Sequence, residues 1–301
     1  MTSQSHRTAL FFRFAAALLA WLGVAVPLAR AQAPPQAPQV IYYGQGSKGD
    51  VEHSLQFQVL SLAVRECGKP YVLKPSPLGK SAEARTISAL ADGEQIDVAW
   101  LGVSAANDRK LLPVRIPIDR GLMGYRIFLI DGARQPEFDR VRDLTDLRRM
   151  KALQGVGWQD VDVLRLAGLQ VSTADYSHLF RMTLARRGDF FPRSAFEAFG
   201  EQAKHASEAP GLAVEKTLVL HYPQASMFYV RRSDPVLHDD LYRGLLKAYD
   251  DGAFMTLFNS NPGVRAALDQ AHLKSRRVIE IDNPFLSAET RAIPQRFWYR
   301  P

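Results

Sequence analysis

Four short segments carry the residue types that hold small molecules: Tyr43-Gly44-Gln45-Gly46-Ser47, Trp100-Leu101-Gly102, Gly155-Val156-Gly157-Trp158-Gln159-Asp160 and Pro192-Arg193-Ser194. Each ends or follows an apolar run that reads as a strand. In an open α/β sheet such positions lie beyond the carboxyl ends of the strands, where helix N-termini present free N–H groups and positive dipole. The glycines let backbone approach a ligand, and Trp100 and Trp158 are large enough to sandwich an apolar or cyclic part. The alternative for both tryptophans is a place in the core. For Arg193 the alternative to ligand contact is a solvated loop charge.

Chemistry beyond binding finds little support. Asp160 and Glu197 could form a carboxylate acid/base pair. Helix capping accounts for both, however: Asp160 as an N-cap, and Glu197 as the partner of Ser194 three residues earlier in a capping box. The Gly44–Gly46 loop lacks the GK[ST] ending of a phosphate loop. The seven histidines show no H-x-x-x-H spacing, and the single Cys67 excludes an intramolecular disulfide or a thiolate metal cluster. No cofactor or metal is expected, and Cys67 reads as an inert buried thiol.

These loops need elements to hold them, and the chain supplies an alternation of strand and helix patterns. Val40 to Tyr43 reads as a strand, and Val51 to Val64 as an amphipathic helix. Tyr71 to Leu73 is a strand, Ser81 to Leu90 a helix, Ile96 to Leu101 a strand, and Val114 to Ile118 and Met123 to Ile130 are strand-like. The pattern restarts from Ala152 through the helix Asp160 to Ala167, the strand Leu169 to Val171, the helix Tyr176 to Ala185, the strand Asp189 to Phe191 and the helix Ser194 to His205. A strand from Thr217 to Leu220 and a second long apolar run, Ala225 to Val230, lead into a helical tail. Such alternation implies an α/β fold with mixed or parallel sheets flanked by helices. The two long apolar runs bracket the second set, so the expected organisation is two lobes. Residues 40–129 and 226–301 form lobe one, residues 130–225 the inserted lobe two, and the two crossings between them act as hinges.

The first thirty-one residues stand apart. Arg7 and Arg13 precede an apolar stretch from Ala15 to Leu28, and Ala29-Arg30-Ala31 or Ala31-Gln32-Ala33 supplies a small-x-small cleavage pattern. A cleavable export signal over 1–31 is expected, with an N-terminal anchor as the alternative, followed by a Pro, Gln and Ala linker at 32–39. Its removal takes Arg7, Arg13 and Arg30 and lowers the formal charge of the 301-residue chain from +7 to +4. Both signs are mixed along the rest, without the basic stripe of a nucleic-acid binder. A periplasmic location and no nucleic-acid partner follow as expectations.

Several motifs in order make the chain resemble the type 2 periplasmic solute-binding proteins, particularly the amino-acid-binding branch (family 3) of ABC transporters. They are Asp97-Val98-Ala99-Trp100, Gly124-Tyr125-Arg126-Ile127-Phe128-Leu129-Ile130, Asp143-Leu144, Gly155-Val156-Gly157-Trp158, Arg187-Gly188-Asp189-Phe190-Phe191, and Ser226-Met227-Phe228-Tyr229-Val230 before Ser233-Asp234-Pro235. The resemblance implies a non-enzymatic monomer that closes two lobes on a small-molecule ligand and hands it to a membrane permease or receptor. It implies that Arg120, in Ile116-Pro117-Ile118-Asp119-Arg120-Gly121, grips a ligand carboxylate, although the Thr of the family segment is absent and a structural ion pair with Asp119 or a lobe partner is the alternative. Where relatives place an acid for the α-amino group, this chain has Phe191-Pro192-Arg193, which favours an anionic ligand. The expected ligand-binding set is Tyr43, Gly44, Trp100, Arg120, Gly157, Trp158 and Arg193. A ligand sensor for an envelope signalling partner, or a dehydratase-like enzyme on the same fold, are the alternatives.

Overall fold

A computed structural model of the chain describes residues 37–44, 51–79 and 81–301. The expected signal at 1–31, most of the linker and Gln45-Gly46-Ser47 lie outside the described residues. The first lobe opens with strand β1 (Gln39–Tyr43), helix α1 (Leu55–Glu66), β2 (Tyr71–Pro75), α2 (Glu83–Asp92), β3 (Val98–Gly102), α3 (Ala105–Lys110) and β4 (Leu111–Val114). The chain then crosses along β5 (Tyr125–Asp131) and continues through α4 (Gln135–Phe138), α5 (Leu144–Leu147), β6 (Lys151–Gly155), α6 (Asp160–Leu166), β7 (Gln170–Ala174) and α7 (Tyr176–Leu184). After these come β8 (Phe190–Ser194), α8 (Ala198–His205), β9 (Leu212–Val214) and β10 (Leu218–His221). It returns along β11 (Ser226–Arg231) to α9 (Pro235–Asp250), α10 (Ala253–Ser260), α11 (Pro262–Ala271), β12 (Arg277–Glu280) and α12 (Ala288–Arg291).

Two mixed sheets result. The first has the order β2-β1-β3-β11-β4, with β1, β2 and β3 parallel and β11 antiparallel to both β3 and β4. The second has the order β12-β10-β5-β8-β6-β7, with β9 paired to β5. Strands β5 and β11 are buried along nearly their whole length, which explains why both read as long, nearly all-apolar runs. Helices cover the sheets through interlocking faces: in α9, Asp234 caps the N-terminus by accepting from Leu237 N at 3.1 Å, and Leu237, Leu241 and Leu245 face the core. A Cβ at Gly244 of α9 would lie 2.0 Å from the Ala63 carbonyl oxygen of α1, so these two helices meet backbone to backbone.

Three features differ from expectation. Arg277–Glu280, expected in lobe one with the rest of 226–301, pairs in parallel with β10 in the second sheet, so the chain crosses between sheets a third time. Strand β5 lies wholly in the second sheet, starting at Tyr125 rather than at residue 130. Finally, β8 runs through Pro192 to Ser194, so Arg193 is a strand residue and not a loop residue. Pairing with β6 stops at Phe190, which leaves β8 an open side where a residue without an N–H is tolerated.

At the crossings, Asp119 is buried and its carboxylate accepts from Gly121 N (3.2 Å), Met123 N (3.0 Å) and Ser226 N (3.1 Å). One side chain thus ties the start of the outward crossing to the start of β11.

Candidate functional site

A cleft of about 1020 Å³ opens between the two sheets. Its first wall comes from the lobe-one elements: Glu83, Ala84 and Ile87 of α2, and Gly102, Ser104 and Asn107 around the start of α3. Its second wall comes from Gly157 to Asp162, Thr173, Arg193 and Glu197, and its floor from the crossing residues Met123, Arg126 and Gln224, with Phe285 of the tail beside them.

Arg126 is the group most out of place in an apolar strand. Its side chain is only 4% exposed, and its guanidinium donates to Asp160 Oδ1 at 2.6 Å. The Tyr222 hydroxyl donates to the same oxygen, and the Arg126 guanidinium lies 5.2 Å from the Tyr222 ring centre. Burial works against the Arg126 charge, but Asp160, Tyr222 and Glu197 together outweigh it and the pKa stands above its ordinary value. The Tyr222 hydroxyl is pushed well up, chiefly by burial. Among the described residues the buried Nε of Arg126 has no hydrogen-bond partner, an unmet need that an acceptor can satisfy.

Arg193 is held differently. Its Nε donates to Glu201 Oε2 at 2.6 Å and one terminal nitrogen to Glu201 Oε1 at 2.9 Å, and it pairs with Glu197 at 2.9 Å. The rings of Trp158 and Phe191 stand 4.8 and 5.1 Å from its guanidinium. Burial opposes its charge and the two glutamates more than offset that, so its pKa is raised. The carboxylates of Glu197 and Glu201 neutralise the charge that was expected to face an anion.

Of the expected binding residues, the structure brings Gly157, Trp158 and Arg193 to the cleft. Gly157 has φ of +78°, a conformation glycine adopts freely. Trp158 packs on Gly155, where a Cβ would lie 2.3 Å from the indole, and this contact fixes the ring against the wall. Gly44 and Trp100 border a separate recess of about 110 Å³ with Ser81, Thr86 and Glu83, the last also reaching the cleft. Tyr43 is a core residue, 6.3 Å from the Trp100 ring. The two tryptophans therefore do not sandwich one space.

Arg120 is not in the cleft. It donates to the Trp298 carbonyl at 3.0 Å and the Arg296 carbonyl at 3.4 Å, and it lies 5.7 Å from the Phe258 ring centre. Its backbone is left-handed (φ 52°), which turns the side chain under the C-terminal segment. It makes no ion pair with Asp119 either, whose oxygens take backbone N–H groups.

The capping assignments also change. Asp160 is the first residue inside α6, and its carboxylate faces Arg126. Helix α8 begins at Ala198; the Ser194 hydroxyl donates to the Glu197 carboxylate at 3.0 Å, and no capping box forms. Sequence reasoning missed Arg126 and Gln224. Arg126 had a readable signal: a permanent charge as the second residue of an all-apolar strand demands a buried partner. Gln224 had none, because nothing local marks the short connector between β10 and β11.

No family model and no curated protein sequence matches the chain. Solved structures do. An ancestral arginine-binding protein bound to glutamine is 16% identical, with 74% of this chain and 98% of that one covered and a TM-score of 0.51. A histidine kinase sensor domain with similarity to periplasmic binding proteins is 15% identical, covering 73% and 94%, at 0.51. An ancestral amino acid-binding protein, a precursor of cyclohexadienyl dehydratase, is 15% identical, covering 73% and 94%, at 0.50. With two mixed sheets, long buried crossing strands and a cleft between them, the chain has the two-lobed α/β fold of the type 2 periplasmic binding proteins.

Proposed function

We propose that this protein is an exported, monomeric solute receptor that captures a small polar molecule between its two lobes for an ABC-type uptake system in the envelope. The observation that carries the reading is the cleft itself: both lobes wall it, and the segments that join them form its floor, so a ligand there touches everything that closure would move. The expected anionic character now rests on a different arginine. Arg126, with a buried Nε left without a partner, asks for a carboxylate or another oxygen acceptor, whereas Arg193 is already neutralised. Gly157 and Trp158 would meet the ligand from the second lobe, and Gln224 from the hinge. The role in this reading is binding without turnover: Asp160 and Glu197, the two carboxylates that could have made an acid/base pair, are each tied to a guanidinium.

A thermal-shift screen tests this. Dicarboxylates, amino acids, sugars and polyamines are added to purified protein, and one class is expected to raise the melting temperature in a concentration-dependent way, since a ligand bound only by the native state stabilises it by mass action. A flat response to all four classes contradicts the proposal.

A further inference from the structure

The third crossing brings a tail residue against the cleft floor. Asn283, just after β12, is buried, and its amide can stand only one way round. One end faces the Pro223 carbonyl at 2.9 Å, an acceptor, and must be the Nδ2 donor; the other accepts from Phe285 N at 3.1 Å and must be Oδ1. The same Nδ2 donates its second proton to Gln224 at 3.3 Å, so the Gln224 atom it meets is the carbonyl Oε1. The backbone partners of Asn283 thereby fix the orientation of Gln224 at one remove, and the Gln224 NH2 points away from the tail. Gln224 lines the cleft, and its Nε2 lies 3.2 Å from where a Cβ at Gly102 would stand. Among the described residues that Nε2 donates to no protein group, although Gln224 is only 8% exposed.

We propose that Asn283 is a positioning residue that holds the Gln224 amide with its donor outward, and that Gln224 is a specificity group selecting ligands that bring an oxygen acceptor to the hinge floor. Gln224 and Arg126 then serve one ligand group from the return and outward crossings. A carboxylate fits both, and a ligand presenting only donors there leaves both unsatisfied. The inference rests on the cleft being the ligand site, and it adds the tail as a part of that site.

The test reads the Gln224 NH2 by NMR in 15N-labelled protein, the signal being assigned by its loss in Gln224→Glu. In the wild type the NH2 protons exchange freely with water. In Asn283→Asp the introduced carboxylate accepts from Nε2, the amide turns over, and exchange slows by about tenfold, the scale of one charge-assisted hydrogen bond. Protection of the NH2 in the wild type overturns the proposal, as does unchanged exchange in folded Asn283→Asp; should that variant not fold, the wild-type measurement alone decides. Titration with succinate, L-glutamate, ribose and spermidine completes it. The NH2 signal of the wild type is expected to move with a carboxylate probe. A probe that binds in the cleft by shifting Trp158 and leaves Gln224 unmoved overturns the specificity role. If none of the four binds while the NH2 is exposed, the receptor reading has failed and the specificity role falls with it, the amide geometry alone surviving.

Discussion

Arg126 and Asp160 meet at 2.6 Å across the floor of the cleft, joining the outward crossing strand to the first turn of α6. The pair gives Arg126 a structural role beside the binding role proposed for it, and the two roles separate by mutation. Arg126→Met leaves the partly exposed Asp160 carboxylate with the Tyr222 hydroxyl but without its ion-pair partner, and is expected to lower stability by about 1–3 kcal/mol in chemical denaturation. Arg126→Met combined with Asp160→Leu removes both charges and should recover most of that stability. Ligand affinity should stay lost in both. Recovery of affinity in the double variant would show that Arg126 only shapes the floor.

Arg120 gives the opposite pattern. Its hydrogen bonds go to carbonyls of the C-terminal segment, so Arg120→Ala should cost about 1 kcal/mol of stability, the net worth of a lost hydrogen bond. Calorimetry should find ligand affinity within about twofold of wild type, well under the tenfold that 1.4 kcal/mol represents. A tenfold loss would return Arg120 to the binding site.

The hinge carboxylate carries a pH signature. Burial raises the pKa of Asp119 to about 6 against the backbone N–H bonds that lower it. An unfolded Asp ionises near about 3.9. Between these values the native state holds a proton that the unfolded chain has released, so this group adds stability as pH falls from 6 toward 4 and loses it as pH rises through 6. A 13C carboxyl titration should show one resonance with a midpoint near that value, absent in Asp119→Asn. A midpoint at the ordinary aspartate value would mean that water reaches the crossings.

Close approach of α1 and α9 makes a further prediction. Gly244→Ala places a Cβ against the Ala63 carbonyl, and the helices must separate, at a cost of about 1–3 kcal/mol or somewhat more. Differential scanning calorimetry should register a lower melting temperature; an unchanged one would contradict the backbone contact.

Much of the fold was legible because periodicity and burial agree: β5 and β11 are mostly apolar since both their faces are covered, and α9 begins where Asp234-Pro235 places it. Strand β12 was not legible. Four residues, Arg277 to Glu280, carry two charges and only two apolar side chains, and their pairing with β10 is decided by distant chain. The site was legible by place more than by residue. Strand ends led to Gly157, Trp158 and Arg193, which line the cleft, but the partners of Arg193 are Glu197, at the N-cap of α8, and Glu201 within it, and local sequence does not tell whether a charge is shared or free. Arg120 misled because its left-handed backbone, which turns it away from the cleft, is invisible in residue type.

The central claim, that the cleft between the lobes is where a solute binds, is tested most directly by the indole resonances. Trp158 lines the cleft, whereas Trp298 packs over Gly121 at the C-terminal segment. With indole-15N labelling and assignment through Trp158→Phe, titration with the compound that raises the melting temperature should move the Trp158 Nε1–H signal and leave that of Trp298 in place. Saturable binding that leaves Trp158 unmoved would contradict the account.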